Sequence, residues 1–345
     1  MRKSCLWLLA VVLLAGAAGA GEKGKWRIAL SNDYAGNSMR QSMIAIWKQA
    51  AAEAVAKGWI AEAPVFNTNE SSAAEQAAQI QSLILDGYDA IALNAASPTA
   101  LNTVVKEAAD AGVVIVSFDN NVTEESAYIL STEWRQMAKE QVDYLTRTRG
   151  IVKGNLLEIR GLAGTWVDEE IHGGLAEYLK PYPDLKIAGT VYGNWTGSIA
   201  QKEVAGILPS LPEITAVVDQ GGDGFGAAKA FEASGRKIPL IMMGNRYDEL
   251  VIWRELRDRE GYETMSVSTS PGVSAIAFWT ALEILDGTET PKTMPVPPYV
   301  ITKDKLDAAI AGTEPGGVAA LVYPRSWVQG LIANTKAGKR PPADP

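Results

Sequence analysis

Residues able to make several hydrogen bonds at once recur in this chain directly after short apolar runs. Asn32-Asp33-Tyr34 follows Ile28-Ala29-Leu30, Asn94 follows Ile91-Ala92-Leu93, and Asp119-Asn120-Asn121 follows Val113 to Phe118. Farther on, Arg160-Gly161 follows Leu156 to Ile159, Asp219-Gln220 follows Ala216 to Val218, and Gly244-Asn245-Arg246 follows Leu240 to Met243. Carboxylates and amides gathered this way accept or donate several hydrogen bonds in a plane, which suits multidentate recognition. Tyr34 stands beside the first cluster, and Trp166 and Trp195 follow strands of the second half, offering flat apolar faces with one polar edge.

These groups need elements to hold them. Apolar runs rich in Val, Ile and Leu read as strands buried on both faces of a parallel sheet, and ligands of such sheets sit beyond the carboxyl ends of the strands. Helical patterns fill the intervals. Met39 to Lys57 carries Met43, Ile46, Trp47, Ala50 and Ala54 at helical spacing before Gly58, so Trp47 is expected in the core. Further helices are predicted after Ser71-Ser72 and at Thr99 to Ala111, Thr132 to Thr148, Val167 to Leu179, Ile199 to Leu208, Gly224 to Ser234, Tyr247 to Asp258 and Ser274 to Leu285. Strand and helix in alternation predict right-handed βαβ units, too many for one open sheet of ordinary width. The expected fold class is therefore α/β with two mostly parallel sheets.

The N-terminus predicts export. Met1-Arg2-Lys3 is followed by apolar Leu6 to Leu14 and by Ala18-Gly19-Ala20, the layout of a signal peptide over residues 1–20. Cys5, the only cysteine, precedes the apolar run, which speaks against a lipoprotein anchor. A mature chain without cysteine must be stabilised by its core alone, and 345 residues less the leader suffice for two domains. The net charge of −8 comes without any basic block, so neither nucleic acid nor an anionic membrane is expected as partner.

Covalent chemistry is poorly served. His172 is the single histidine, so no metal site or Cys/His pair can be assembled, and no metal is expected. Asp168 and Glu169 are adjacent on a helix and point in different directions, which argues against a glycosidase pair and suits the positive helix end. Gly222-Asp223-Gly224-Phe225-Gly226-Ala227 fits G-x-G-x-x-A between a strand and a helix, with Asp248 downstream, as in dinucleotide sites. An exported chain has no diffusible nicotinamide to bind, and the same glycines suit a turn lining a cleft. Neither a cofactor nor enzymatic activity is expected.

Three stretches carry a family likeness: Gly87-Tyr88-Asp89-Ala90-Ile91 leading to Leu93-Asn94, Ala111-Gly112 leading through Val113 to Asp119, and Glu158-Ile159-Arg160-Gly161-Leu162-Ala163-Gly164-Thr165. Ala216 to Gln220 and Pro239 to Gly244 support them. In this order, behind a signal peptide, the mature chain resembles the periplasmic sugar-binding proteins of ABC importers, the ribose-binding-like group of the type I fold. The resemblance implies two doubly wound α/β lobes with parallel sheets, joined by three hinge crossings, near Ser131, near Ser266 to Ser268 and near Val300, with a ligand cleft between them. The first lobe would hold residues 25–130 plus 269–297. The second would hold 131–268 plus 298–345, including a C-terminal tail packed across the domains.

What the resemblance implies for function is capture of a monosaccharide, sugar alcohol or related small polyol, neutral or cationic, in the periplasm. Delivery would be to ABC permease subunits, the protein being a monomer. An exported sensory subunit for a chemoreceptor or histidine kinase is the alternative, whereas a sugar-responsive repressor would need a helix-turn-helix where this chain has its leader. Expected ligand-binding residues are Tyr34, Asn37, Asn94, Asp119, Asn120 and Asn121 on one lobe. On the other they are Trp166, Asp168, Glu169, Trp195, Gln220, Asp223, Asn245, Arg246 and Asp248. The pattern has arginine after the strand-end aspartate, where this chain has Asn120. It has a sugar-binding arginine at Glu169 and an aspartate at Arg246, and these departures argue against ribose itself.

Overall fold

A computed structural model describes residues 26–69 and 71–345; the expected signal peptide and Cys5 lie outside the described residues. The first βα units run β1 (Trp26–Asn32), α1 (Ser38–Ala56), β2 (Ile60–Glu62), β3 (Val65–Asn67), α2 (Ala73–Leu85), β4 (Ala90–Asn94), α3 (Asn102–Asp110), β5 (Val114–Phe118) and β6 (Tyr128–Thr132). There follow α4 (Trp134–Asp143), which closes in a π-helical turn over Tyr144–Thr148, β7 (Gly154–Arg160), α5 (Trp166–Leu179), β8 (Leu185–Tyr192), α6 (Gly197–Ile207), β9 (Ala216–Asp219), α7 (Gly224–Ser234), β10 (Leu240–Ile241), α8 (Tyr247–Glu260) and β11 (Ser266–Ser268). The chain ends with α9 (Val273–Leu285), β12 (Thr293–Val296), β13 (Tyr299–Ile301), α10 (Leu306–Ala311) and α11 (Arg325–Lys336).

Two separate parallel sheets form, as the alternation of strands and helices implies. The first has the order β12-β6-β5-β4-β1-β2, with β3 also pairing β1; the second has the order β10-β9-β7-β8. Antiparallel β11 and β13 form a third, two-stranded piece, and β11 lies alongside Met243, just beyond β10, through a parallel bridge to Ser266. Each large sheet is covered on both faces. In the first lobe α1, α9 and α11 bury one face around Trp47, Phe278 and Trp279, and α2 and α3 bury the other around Ile80, Leu83 and Val105. In the second lobe α4 and α5 pack on one face around Met137, Leu156 and Leu175. The opposite face carries α6, α7, α8 and α10 around Val204, Phe231 and Trp253. Helix α9 is buried from Val273 through Glu283, which explains why its sequence is apolar on every side. Trp47, fully buried, donates from Nε1 to Ala63 O and meets Phe278 edge-on at 5.1 Å.

The chain crosses between lobes after β6, between β11 and α9, and between β12 and β13. The tail adds a further passage. Ala319 belongs to the core of the second lobe, whereas Tyr323 and Trp327, Val328, Leu331 and Ile332 of α11 belong to the core of the first. The expectation that residues 298–345 belong with the second lobe is corrected here, because the apolar face of α11 is buried against α9.

Candidate functional site

Strand order marks where each sheet opens a crevice. In the first lobe β2 and β4 lie on opposite sides of β1, and in the second β8 and β9 lie on opposite sides of β7. Between strands whose connections leave in opposite directions the helices part, so the crevices open beyond β1 and β4 and beyond β7 and β9.

The first crevice is built around an arginine that sequence reading missed. Arg40, buried on α1, donates from Nη1 to Asp119 Oδ2 at 2.5 Å and from Nε to Asp33 Oδ1 at 3.1 Å. Turning the Asn94 amide over would place its oxygen 3.2 Å from Arg40 Nε and Nη2, where it completes the cradle. Burial opposes the guanidinium charge, but Asp119 and Asp33 together hold it above its ordinary pKa. Burial also raises the pKa of Asp33, with the Asp119 charge adding to it and Arg40 opposing. Asp119 adopts a left-handed backbone conformation, φ +59°, which turns its carboxylate back over the strand end. Its Oδ1 makes no hydrogen bond among the described residues.

The other expected first-lobe residues divide. Half-buried Asn120 reaches Asp33 Oδ2 at 3.4 Å. Tyr34 is half-buried, its ring lying against Gly36. Asn37 caps α1, its Oδ1 accepting from Arg40 N at 2.8 Å. Asn121 is turned into the lobe, donating to Leu130 O at 3.1 Å.

A second arginine, noted in the sequence only as part of a strand-end cluster, anchors the other crevice. Arg160, at the end of β7, grips fully buried Asp168 bidentately, Nε to Oδ1 at 3.0 Å and Nη2 to Oδ2 at 2.6 Å, and Nη2 also reaches Glu169 Oε1 at 2.6 Å. Burial opposes its charge, and the hydrogen bonds it donates to Asp168 and Glu169 override this, raising its pKa. Its Nη1 has no hydrogen bond among the described residues. Gln220 locks the backbone beside it, accepting from Gly161 N at 3.0 Å and donating to Asp168 Oδ1 at 2.9 Å. Trp195, at φ +52°, lays its indole across Gly161; a Cβ there would sit 2.2 Å from Trp195 Cζ2, so only glycine lets the ring approach. Asp168 and Gln220 thus spend their hydrogen bonds on the scaffold. Trp166 is 56 % exposed at the rim, beside exposed Leu162 and close in sequence to the Arg160 strand end.

Arg246 bridges the lobes, donating from Nη1 to Ser38 Oγ at 3.1 Å and from Nη2 to Trp195 O at 2.8 Å. Behind it lie three buried carboxylates. Asp223 accepts from Thr196 N at 2.9 Å, Asp219 from Gly221 N at 2.8 Å, and Glu249 from Gly224 N and Gly244 N at 3.0 and 2.9 Å. Burial, with Glu249 close by, pushes Asp223 up to about 8. Burial and the neighbouring Glu249 and Asp223 raise Asp219 well above the aspartate range, and burial raises Glu249. Asn245 ties the hinge, donating to Thr269 O and Ala319 O at 2.9 Å each. Asp248 is exposed and accepts from Glu249 N at 3.0 Å in the first turn of α8.

The glycines of the G-x-G-x-x-A stretch have local tasks. A Cβ on Gly222 would sit 2.5 Å from Arg246 Nε, and one on Gly226 would sit 1.9 Å from Gly197 O, where α6 and α7 touch. His172 places Nδ1 2.6 Å from the buried carboxylate of Glu158 on β7. Among the described residues no cluster of three or more His, Cys, Asp or Glu could hold a metal, and no helix is long and apolar enough to cross a membrane.

Known proteins share this fold. A crystal structure of an ABC transporter solute binding protein from Thermobispora bispora matches with a TM-score of 0.81 at 36 % identity, covering 93 % of this chain and 99 % of that one. A xylitol-binding protein of Mycolicibacterium smegmatis is 27 % identical over 262 residues, 71 % of this chain and 70 % of its own length. A D-ribose/D-allose-binding protein of Pseudomonas aeruginosa is 25 % identical over 234 residues, 65 % of this chain and 71 % of its own. The periplasmic binding protein domain matches residues 28–289, from β1 through α9 and so across both crevices, and the chain accordingly belongs to that family of binding proteins, not of enzymes.

Proposed function

We propose that this protein captures a small neutral polyol, a monosaccharide or sugar alcohol, between its two lobes and delivers it to the permease of an ABC importer. The observation that carries this reading is the pair of crevices, each floored by an arginine bound to two carboxylates. Each also keeps one group unspent, Asp119 Oδ1 on the first lobe and Arg160 Nη1 on the second. A carboxylate oxygen accepts hydroxyl hydrogens through charge-assisted bonds, and a guanidinium donates to hydroxyl oxygens in a fixed plane. Trp195 and Tyr34 supply the aromatic faces that cover the C–H surface of a sugar. The relatives named for xylitol and for D-ribose and D-allose support this class. The match to an ABC transporter solute binding protein favours transport over the sensory alternative.

In this reading the ligand binds one lobe first and stabilises the closed form by bridging both, so closure reports occupancy to the permease. Asp119, Asn120, Tyr34, Arg160, Trp195 and Arg246 line the cleft; Asp168, Gln220, Asp223 and Asn245 hold those residues in place. The protein works as a monomer in the periplasm, led there by residues 1–20. Thermal unfolding with a panel of pentoses, hexoses and sugar alcohols tests the proposal. A ligand at one hundred times its Kd adds about 2.7 kcal/mol to stability, a rise in Tm of roughly 5–10 °C. No rise with any member of the panel refutes it.

A further inference from the structure

Arg160 is the deepest positive charge of the second crevice, yet its environment withholds that charge from a ligand. Asp168, fully buried and bidentate, balances it once. Glu169, at 2.6 Å from the same Nη2, adds a second carboxylate whose side chain is 58 % exposed. The first lobe repeats this balance, with Asp33 and Asp119 on Arg40. Arg246 spends its guanidinium on the scaffold, donating to Ser38 Oγ at 3.1 Å and to Trp195 O at 2.8 Å.

Burial of Asp168 alone accounts for the folding of the β7 end: it satisfies Arg160, and Gly161 N donates to it at 3.2 Å. Glu169 is not needed for that. It lies on the first turn of α5, at the solvent side, and reaches back to a guanidinium that already has its counterion. The arrangement leaves Nη1 as a hydrogen-bond donor while the local charge sums to −1, from one guanidinium and two carboxylates.

We infer that Glu169 and Arg160 set the charge class of the ligand: Arg160 Nη1 donates to a hydroxyl, and Glu169 rejects sugars that carry a carboxylate. The inference rests on the proposed polyol-binding function and names the selectivity of that same site. A carboxylate at this position would gain the Arg160 hydrogen bond but meet the Glu169 charge across a few ångströms of partly desolvated space, where like charges repel strongly.

The test uses matched ligands that differ by one carboxylate, D-galactose with D-galacturonate and xylitol with D-xylonate, titrated calorimetrically into the full chain at pH 7. In Glu169→Gln the side chain keeps its length and its hydrogen bond to Arg160 and loses its charge. The acid-to-neutral affinity ratio is expected to rise at least about tenfold. Arg160→Lys preserves a counterion for buried Asp168, and so the fold, but removes the planar Nη1 donor; a loss of at least about tenfold in neutral-ligand affinity is expected. A purely structural role for Glu169 would move both affinities together and leave the ratio fixed. An unmoved ratio in Glu169→Gln, or unchanged neutral binding in Arg160→Lys, overturns this inference while leaving the polyol function standing. Failure of the wild-type protein to bind any neutral sugar or polyol overturns both.

Discussion

At the scale of single residues the cleft is governed by a few charges that the core holds in fixed positions. Asp119 sits at φ +59°, a conformation that asparagine tolerates well, so Asp119→Asn should preserve the loop while removing the anionic acceptor. Charge-assisted hydrogen bonds contribute about 1.5–3 kcal/mol, and each 1.4 kcal/mol is about tenfold in affinity. Asp119→Asn is therefore expected to weaken ligand binding by roughly 10–100-fold in calorimetry while the apo protein unfolds cooperatively; undiminished affinity would remove Asp119 from the site. Asp119 was legible from its position after an apolar run, but its partner was not. Arg40 falls in step with Met43, Ile44 and Trp47 on the buried stripe of α1, and a charge on such a stripe is the signal that could have found it. Arg160 alternates with Glu158 at the end of a buried strand, a second signal of paired charge inside a sheet. Asp168 and Asn37 were expected to meet the ligand, and the structure gives them scaffold partners. Their residue types fit a ligand site, but Arg160 and the first turn of α1 use them, and sequence alone does not assign a carboxylate or amide to one partner.

The elements carry the charges of the second lobe into its interior, which makes stability depend on pH. Folded Asp223 keeps its proton to about pH 8 because it is buried beside Glu249, whereas an unfolded aspartate releases it near ~3.9. Across that interval the native chain binds more protons than the unfolded one, so stability falls as pH rises and levels off above the folded pKa. Asp219 and Glu249, also raised, act in the same direction. Asp223→Asn keeps an oxygen for Thr196 N and removes one titration; the profile of Tm against pH should flatten between about pH 5 and 8, with a higher Tm at pH 8 than wild type. A profile superimposable on wild type would show that Asp223 titrates normally. Most strands and helices were legible because their apolar periods are unmixed. β8 was not among the apolar runs: it is the edge of its sheet, and Lys186, Ile187, Thr190 and Tyr192 are exposed along it. Helix α3 begins at Asn102, not Thr99, since Pro98 to Leu101 form a turn ahead of it.

Across the whole molecule, the proposed function depends on two lobes that hinge and meet. Two lobes were legible from the surplus of βα units, but the path of the tail was not, because α11 carries a moderate apolar face that could cover either sheet. The last residues return from α11 toward the second lobe. Asn334 Nδ2 donates to Arg340 O at 2.9 Å, Trp327 Nε1 donates to Ala343 O at 2.8 Å, and Lys305, just ahead of α10, pairs with Asp344 at 3.3 Å. The ion pair is exposed and contributes about 1 kcal/mol at most, so the tie rests mainly on the cover it gives Trp327, which is 7 % exposed. Removing residues 340–345 should lower Tm by roughly 2–4 °C, the effect of about 1 kcal/mol in a domain of this size; an unchanged Tm would show that the tail contributes nothing.

The same scale supplies the decisive observation. A crystal structure with the ligand that gives the largest thermal shift should place that molecule between the ends of β1, β4 and β5 on one side and β7 and β9 on the other. A hydroxyl should lie on Asp119 Oδ1 and another on Arg160 Nη1, with the indole of Trp195 against the ring or chain. A ligand held by one lobe alone, or outside the two crevices, would contradict the account.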